Sequence, residues 1–110
     1  MAPQLFTIKK RATFVHIRDK GVFIRSKNIN VQKLLNQDLD GKIGVGYTAT
    51  KKIGNAVKRN KAKRIMRELA KKILIKGKKN TYYVLIAKLS ILDNKFKTLL
   101  EEMENIINVK

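Results

Sequence analysis

Hydrophobic and polar positions change period several times along this 110-residue chain, and each change marks an element. Between Asn55 and Lys76, at 100° per residue, Ala62, Ile65, Met66, Leu69, Ala70 and Ile73 share one side at i, i+3, i+4 spacing. That pattern predicts a helix over about 55 to 76 with this side turned to a core. Asn55 suits its N-cap, and Gly77 sits where a left-handed C-terminal cap would go. Lys42 to Thr50 alternates instead, with Ile43, Val45, Tyr47 and Ala49 on one strand face and Gly44, Gly46, Thr48 and Thr50 on the other. Two glycines on one face predict that a packed helix or a ligand approaches the backbone closely. Thr81 to Leu89, TYYVLIAKL, is apolar on both faces for most of its length, as an internal and often parallel strand is. Strand, helix and strand make a βαβ unit.

The remaining stretches carry weaker periods. Residues 1–9, with Pro3 among them, predict an extended arm. A first helix follows over roughly Arg11 to Lys20, with Thr13 as candidate cap, Phe14 and Ile17 pointing together and Gly21 ending it. Phe14 fits either a core position or the rim of a cleft on which an unstacked base could lie. Val22 to Leu35 is rich in β-branched residues but alternates imperfectly, which predicts one bent strand or two short ones. NQDLDG, residues 36–41, makes a turn. A closing helix over about Asp93 to Asn108, capped by Asp93, carries a broad apolar stripe of Leu92, Phe96, Leu99, Leu100, Met103, Ile106 and Ile107 that should cover one sheet face. Length and pattern together describe one domain, without repeats or linkers.

Charge alters this picture. On the helix side opposite the core fall Asn60, Arg64, Arg67 and Lys71, with Lys63 at the border and Arg59 nearer the apolar edge. The segment KKIGNAVKRNKAKRIMR, Lys51 to Arg67, contains no acid. Charged helix faces are commonly just solvated. Such faces mix signs so that i,i+4 pairs offset repulsion, whereas here the available acid is Glu68, placed to pair with Lys72 or Arg64. Unrelieved like charge implies an external polyanion. The net charge is +18, and residues 91–110 hold four of the eight acids but three of the 26 Lys and Arg. The C-terminal end is therefore expected to face away from the bound anion, and a nucleic acid is the natural partner for the rest. A membrane-surface role is disfavoured, because the apolar side of 55–76 is needed for a fold and carries no Trp or Phe. No apolar run approaches about 18 residues, and MAPQLFTIKKR has no signal-peptide core, which points to the cytoplasm.

Catalytic groups are scarce. There is no cysteine, which removes disulfides, thiolate zinc sites and thiol nucleophiles together. His16, the single histidine, has no acid at i±4 to orient it. Acids do not converge as two-metal chemistry requires, and Ser26 and Ser90 lack partners. The residues describe a binding protein. A helix-turn-helix DNA reader would need a short helix, not the strand Lys42 to Thr50, before the basic helix. A ribosomal or other structural RNA-binding protein would share the charge and the lack of catalysis, but would not need an open sheet cleft as well.

The segment TKKIGNAVKRNKAKRIMRE closely resembles the signature of the protein subunit of bacterial ribonuclease P: a strand ending in Ser or Thr, Lys-Lys, an I/V-G-N-A-V segment, then a basic helix with an Arg-Asn-Arg start and a later Lys-Arg pair. The resemblance implies an α+β, single-domain α-β-β-β-α-β-α sandwich with a left-handed βαβ crossover. It implies an endoribonuclease holoenzyme that removes the 5′ leader of precursor tRNA. There the catalytic centre and its Mg²⁺ belong to the RNA subunit, the protein holds no cofactor, and it serves as a monomer within a protein–RNA complex. Carried over by position, contacts to the catalytic RNA fall on Lys51, Lys52, Asn55, Arg59, Asn60, Lys61, Lys63, Arg64 and Arg67, and Lys71 extends the stripe. The leader-binding cleft falls on Phe14 and the strand around 29–34. Where relatives have aromatics this chain has Arg18 and Gln32, and Arg18 is suited to lie flat on a base or pair a phosphate. Arg59-Asn60-Lys61 replaces the Arg-Asn-Arg start, keeping charge but losing one bidentate fork.

Overall fold

The computed structural model describes residues 4–108. In chain order it contains β1 (Leu5–Thr7), α1 (Arg11–Lys20), β2 (Val22–Ile24), β3 (Ile29–Leu35), β4 (Ile43–Thr48), α2 (Ala56–Ile73), β5 (Thr81–Ala87) and α3 (Phe96–Ile107), joined in places by 3₁₀ turns. From α1 onward this is the expected α-β-β-β-α-β-α order. β1 is an addition: part of the arm docks as an edge strand, Leu5, Phe6 and Thr7 running parallel to Ile43, Gly44 and Val45. Pro3 lies outside the described residues. The stretch from Val22 to Leu35 resolves into two antiparallel strands, with Phe23 opposite Gln32.

Sheet order is β1-β4-β5-β3-β2, which puts β5 in the centre, parallel to β4 and antiparallel to β3. Its two apolar faces serve different layers. Tyr83, Leu85 and Ala87 join the main core with α2 and α3, while Val84 is buried on the other face beneath α1 with Ile8 and Ile17, flanked by Tyr82 and Ile86. α2 buries Ala62, Met66, Leu69, Ala70 and Ile73, and α3 buries Leu99, Met103 and Ile106, so the 3.6-residue stripes mark the packed sides. Ile65 is only half-buried at the edge of that contact.

Helix ends depart from expectation in three places. α1 starts directly after Lys10, which is extended and gives no side-chain cap, so Thr13 lies inside the helix. The chain has no slack for a longer lead-in, because Ile8 is still bonded to the sheet through its N–H to the Val45 carbonyl at 2.9 Å. Asp93 does not cap α3. It ends a 3₁₀ turn, Leu89–Asp93, that buries Ile91 completely, and the helix begins three residues later behind Lys95. Gly21 ends α1 as expected, with extended backbone at φ −83°, whereas Gly77, expected as a left-handed cap, closes the 3₁₀ turn after α2 with extended backbone at φ −73°. Both positions require close approach instead: a Cβ on Gly21 would stand 2.5 Å from the Ile17 carbonyl oxygen and 2.7 Å from that of Lys33, and one on Gly77 2.9 Å from that of Leu74.

A carboxylate of the closing helix, counted in the sequence only among the acids facing away from the bound anion, holds the β2–β3 turn. Glu102 of α3 accepts hydrogen bonds from Ser26 Oγ at 2.7 Å, Asn28 N–H at 2.8 Å, Asn28 Nδ2 at 2.7 Å and Ile29 N–H at 3.2 Å. Partial burial pushes its carboxyl up, but the bonds from Asn28, Ser26 and Ile29 outweigh this and hold it below the ordinary value. Asn94 Nδ2 donates to Asn28 Oδ1 at 2.9 Å and Lys88 Nζ to the Ser26 carbonyl at 2.6 Å, closing the network.

Candidate nucleic-acid interface

The basic helix begins where patterning put it. Thr48 ends β4, and the chain makes a 3₁₀ turn at Lys51–Ile53 that buries Ile53. It then passes Gly54 at φ 132°, a conformation that a side chain would strain. Asn55 Oδ1 accepts from Lys58 N–H at 3.0 Å and caps α2. With the apolar side locked in the core, Asn60, Lys61, Arg64, Arg67 and Lys71 are exposed, and Arg59 and Lys63 half-exposed. Lys51, Lys52 and Asn55 are exposed just ahead of them.

Two members of this face have neighbours. Glu68 pairs with Lys71 at 3.6 Å, and not with Lys72 or Arg64, because the i,i+3 geometry brings these two together. Both side chains are well exposed, so the pair adds little stability and chiefly dilutes the charge at the far end of the stripe. The Arg67 guanidinium lies 5.7 Å from the centre of the Tyr47 ring, which orients it by a cation–π contact. Burial pushes the Tyr47 hydroxyl up, against the opposing effect of Arg67.

On the opposite sheet face, α1 leaves a groove of about 370 Å³ lined by Arg11, Phe14, Val15, Arg18, Gln32, Thr48, Thr50, Val84 and Ile86. It brings Gln32 of β3 beside Phe14 and Arg18, which lie one turn apart on α1. Gly46 makes this possible: a Cβ there would lie 2.4 Å from the Phe14 ring, so the ring rests on bare backbone. Phe14 thus both packs beside Ile17 and Val84 and lines the groove. Arg18 reaches Asp19 at 3.4 Å, with both side chains more than half exposed.

A second hollow, of about 520 Å³, shares Thr50 and Ile86 with the first and continues past Asn30, Lys52, Ala87, Lys88 and Leu89. Lys52, expected beside the helical stripe, therefore lines the open sheet face. The segment from Thr50 to Asn55 joins the two surfaces. Arg11 and Val15 escaped sequence reasoning, although with Phe14 and Arg18 they complete an i, i+3, i+4, i+7 pattern on α1. Asn30 was legible by alternation from Gln32 on β3, but nothing in the sequence announces Lys88 or Leu89. His16 is exposed. Among the described residues no three His, Cys, Asp or Glu side chains gather to hold a metal ion.

Comparison with known proteins bears on the family and the fold. A family model described as Ribonuclease P matches residues 2–109. The chain is 40% identical over 68 residues to the ribonuclease P protein component of Gluconacetobacter diazotrophicus, a match covering 62% of this chain and 58% of that relative. With the component from Carboxydothermus hydrogenoformans it shares 30% identity over 93% of this chain and 88% of the relative. Coverage of the relatives is thus uneven, and the chain spans little more than half the length of the first. The Staphylococcus aureus RNase P protein structure superposes with a TM-score of 0.80 at 29% identity, covering 92% of this chain and 91% of that one. The Thermotoga maritima RNase P protein shares the fold, with a TM-score of 0.82 at 22% identity over 96% and 98% of the two chains. The chain belongs to the ribonuclease P protein family.

Proposed function

We propose that this chain is the protein component of a ribonuclease P holoenzyme, binding the catalytic RNA through α2 and the Lys51–Asn55 turn, and the single-stranded 5′ leader of precursor tRNA through the groove under α1. The observation that carries this reading is the pair of separate surfaces: a cationic helix face on one side of the sheet and an aromatic, arginine-flanked groove on the other. A structural RNA-binding protein would need the first alone. The helix meets phosphates, while Phe14 offers a stacking ring and Arg18 a planar cation to bases of an extended strand. The protein supplies binding, and cleavage of the leader is assigned to the RNA subunit with its Mg²⁺, in keeping with the family.

The test is reconstitution with a ribonuclease P RNA and cleavage of precursor tRNA at low Mg²⁺ with and without the protein. A Phe14→Ala, Arg18→Ala double variant should still bind the RNA subunit but lose discrimination between precursor and mature tRNA, by about 5- to 150-fold for each stacked base lost. An unchanged ratio of dissociation constants, together with lost assembly, would move the first helix to the subunit interface and refute the assignment of the groove.

A further inference from the structure

We propose that the sheet carries a second base-stacking subsite, on the other side of α1, built by Phe6 and Tyr82 and taking one unpaired nucleotide of the same single-stranded RNA. The proposal rests on reading the Phe14 groove as a single-strand site. Phe6 of β1 and Tyr82 of β5 are both paired in register with Gly44 of the intervening β4. Since residue 44 has no side chain, the two rings close over the backbone, where a Cβ would stand 2.7 Å from Tyr82 and 2.8 Å from Phe6. They meet edge to face, centroids 6.4 Å apart at 75°, and both remain half-exposed.

A hollow of about 230 Å³ opens beside the rings, its wall completed by Lys9, Lys10 and Thr13 among others. That is below the roughly 300 Å³ at which pockets for drug-sized ligands begin, and suits one base. The chemistry of the wall is that of a nucleotide complement. The rings offer stacking area. The Tyr82 and Thr13 hydroxyls have no hydrogen-bond partner among the described residues and suit a base edge or ribose. Lys9 and Lys10 are exposed and make no ion pair among the described residues, which leaves both for phosphate. Polarity is set as well: a separate hollow that shares Phe6 is lined by Asp38, Asp40 and Lys42, and its two carboxylates make it the poorer side for a phosphate.

The two sites are neighbours. Lys10 lines this hollow and Arg11 the Phe14 groove, so they flank the first turn of α1. No side chain caps that turn, and a phosphate passing it meets the positive end of the helix. Beneath α1, Tyr82 shares a β5 face with Val84 and Ile86 of the groove floor, at roughly 6.6 Å per pair of residues. A strand leaving the groove around the helix start thus reaches the rings within a few nucleotides.

The experiment measures binding of single-stranded oligouridylates of increasing length to the full chain at fixed salt. Affinity should rise by a step of about 5- to 150-fold once the oligomer outgrows the Phe14 groove. The step should vanish in a Phe6→Leu, Tyr82→Leu variant, which keeps apolar bulk without stacking faces, and shrink in a Lys9→Gln, Lys10→Gln variant. If the leucine pair fails to fold, as its circular dichroism would reveal, the glutamine pair alone decides, because both its positions are exposed. No step in the wild type, or a step retained in every variant that folds, overturns the subsite. Phe14→Leu separates the two readings: it should weaken the shortest oligomer, and if it does not, the groove assignment fails before the subsite is reached.

Discussion

The Glu102 latch yields the most exacting prediction. Truncation to Ala removes the acceptor for four donors, two of which are backbone N–H groups of the buried residues Asn28 and Ile29. Leaving a buried donor unpaired costs about 1–3 kcal/mol, and bonds to a charged acceptor are worth about 1.5–3 kcal/mol each. Because the carboxylate is partly exposed and water can replace some of these bonds, we expect Glu102→Ala to cost about 2–5 kcal/mol, on the order of 10 °C in Tm. Urea unfolding at pH 7 measures it. The pH dependence gives an independent check. The folded carboxyl is held below its unfolded value, so its stabilisation is complete above the unfolded pKa, near 4.5, and is lost as pH falls through the lower folded one. Glu102→Gln cannot titrate, so the stability difference between wild type and this variant should be constant at neutral pH and shrink below about pH 4.5. A Glu102→Ala cost under about 0.5 kcal/mol, or a difference that does not move with pH, would refute the latch.

Three further outcomes follow from the packing. Gly46→Ala should displace Phe14, lowering stability and weakening single-stranded RNA binding together, as unfolding and anisotropy would report. Leu69→Ala, fully buried, should cost about 2–5 kcal/mol, whereas Arg64→Ala should leave Tm nearly unchanged and weaken binding to the RNA subunit; the reverse result would invert the helix faces. If α2 and its preceding turn make about six phosphate contacts, affinity for the RNA subunit should fall roughly 10³-fold between 50 and 200 mM salt, and a flat response would exclude a polyanion.

Elements with a strong period were legible. The α2 and α3 stripes, the alternation of β4 and the two-faced β5 follow directly from burial, and Asn55 as a cap follows from its short acceptor side chain. Features fixed by tertiary contacts were not. Thr13 and Asp93 have cap chemistry, but the chain enters α1 straight from the sheet and spends Asp93 in a turn that buries Ile91. β1 is three residues long, too short for a period. Gly44 and Gly46 announced a close approach, yet whose side chains approach depends on strand order and helix placement. Glu102 read as one more acid of the closing helix, since its partners lie more than 70 residues away in sequence.

The position of β5 governs how the chain reaches this state. Among the described strands it is the last in chain order and the central one, so β1–β4 on one side and β2–β3 on the other meet in the sheet only through it. Until residue 81 emerges there are two half-sheets with no common edge, and residues 1–80 carry 22 Lys and Arg against four acids. Repulsion among these charges opposes collapse until the strand arrives. A polyanion that binds the ordered α2 face lowers that repulsion and stabilises the native state by mass action. Under the proposed function, folding and RNA binding are therefore thermodynamically linked in this chain. Its melting temperature should depend on the concentration of RNA present, and a truncation before Thr81 should remove the sheet as a unit and not trim its edge.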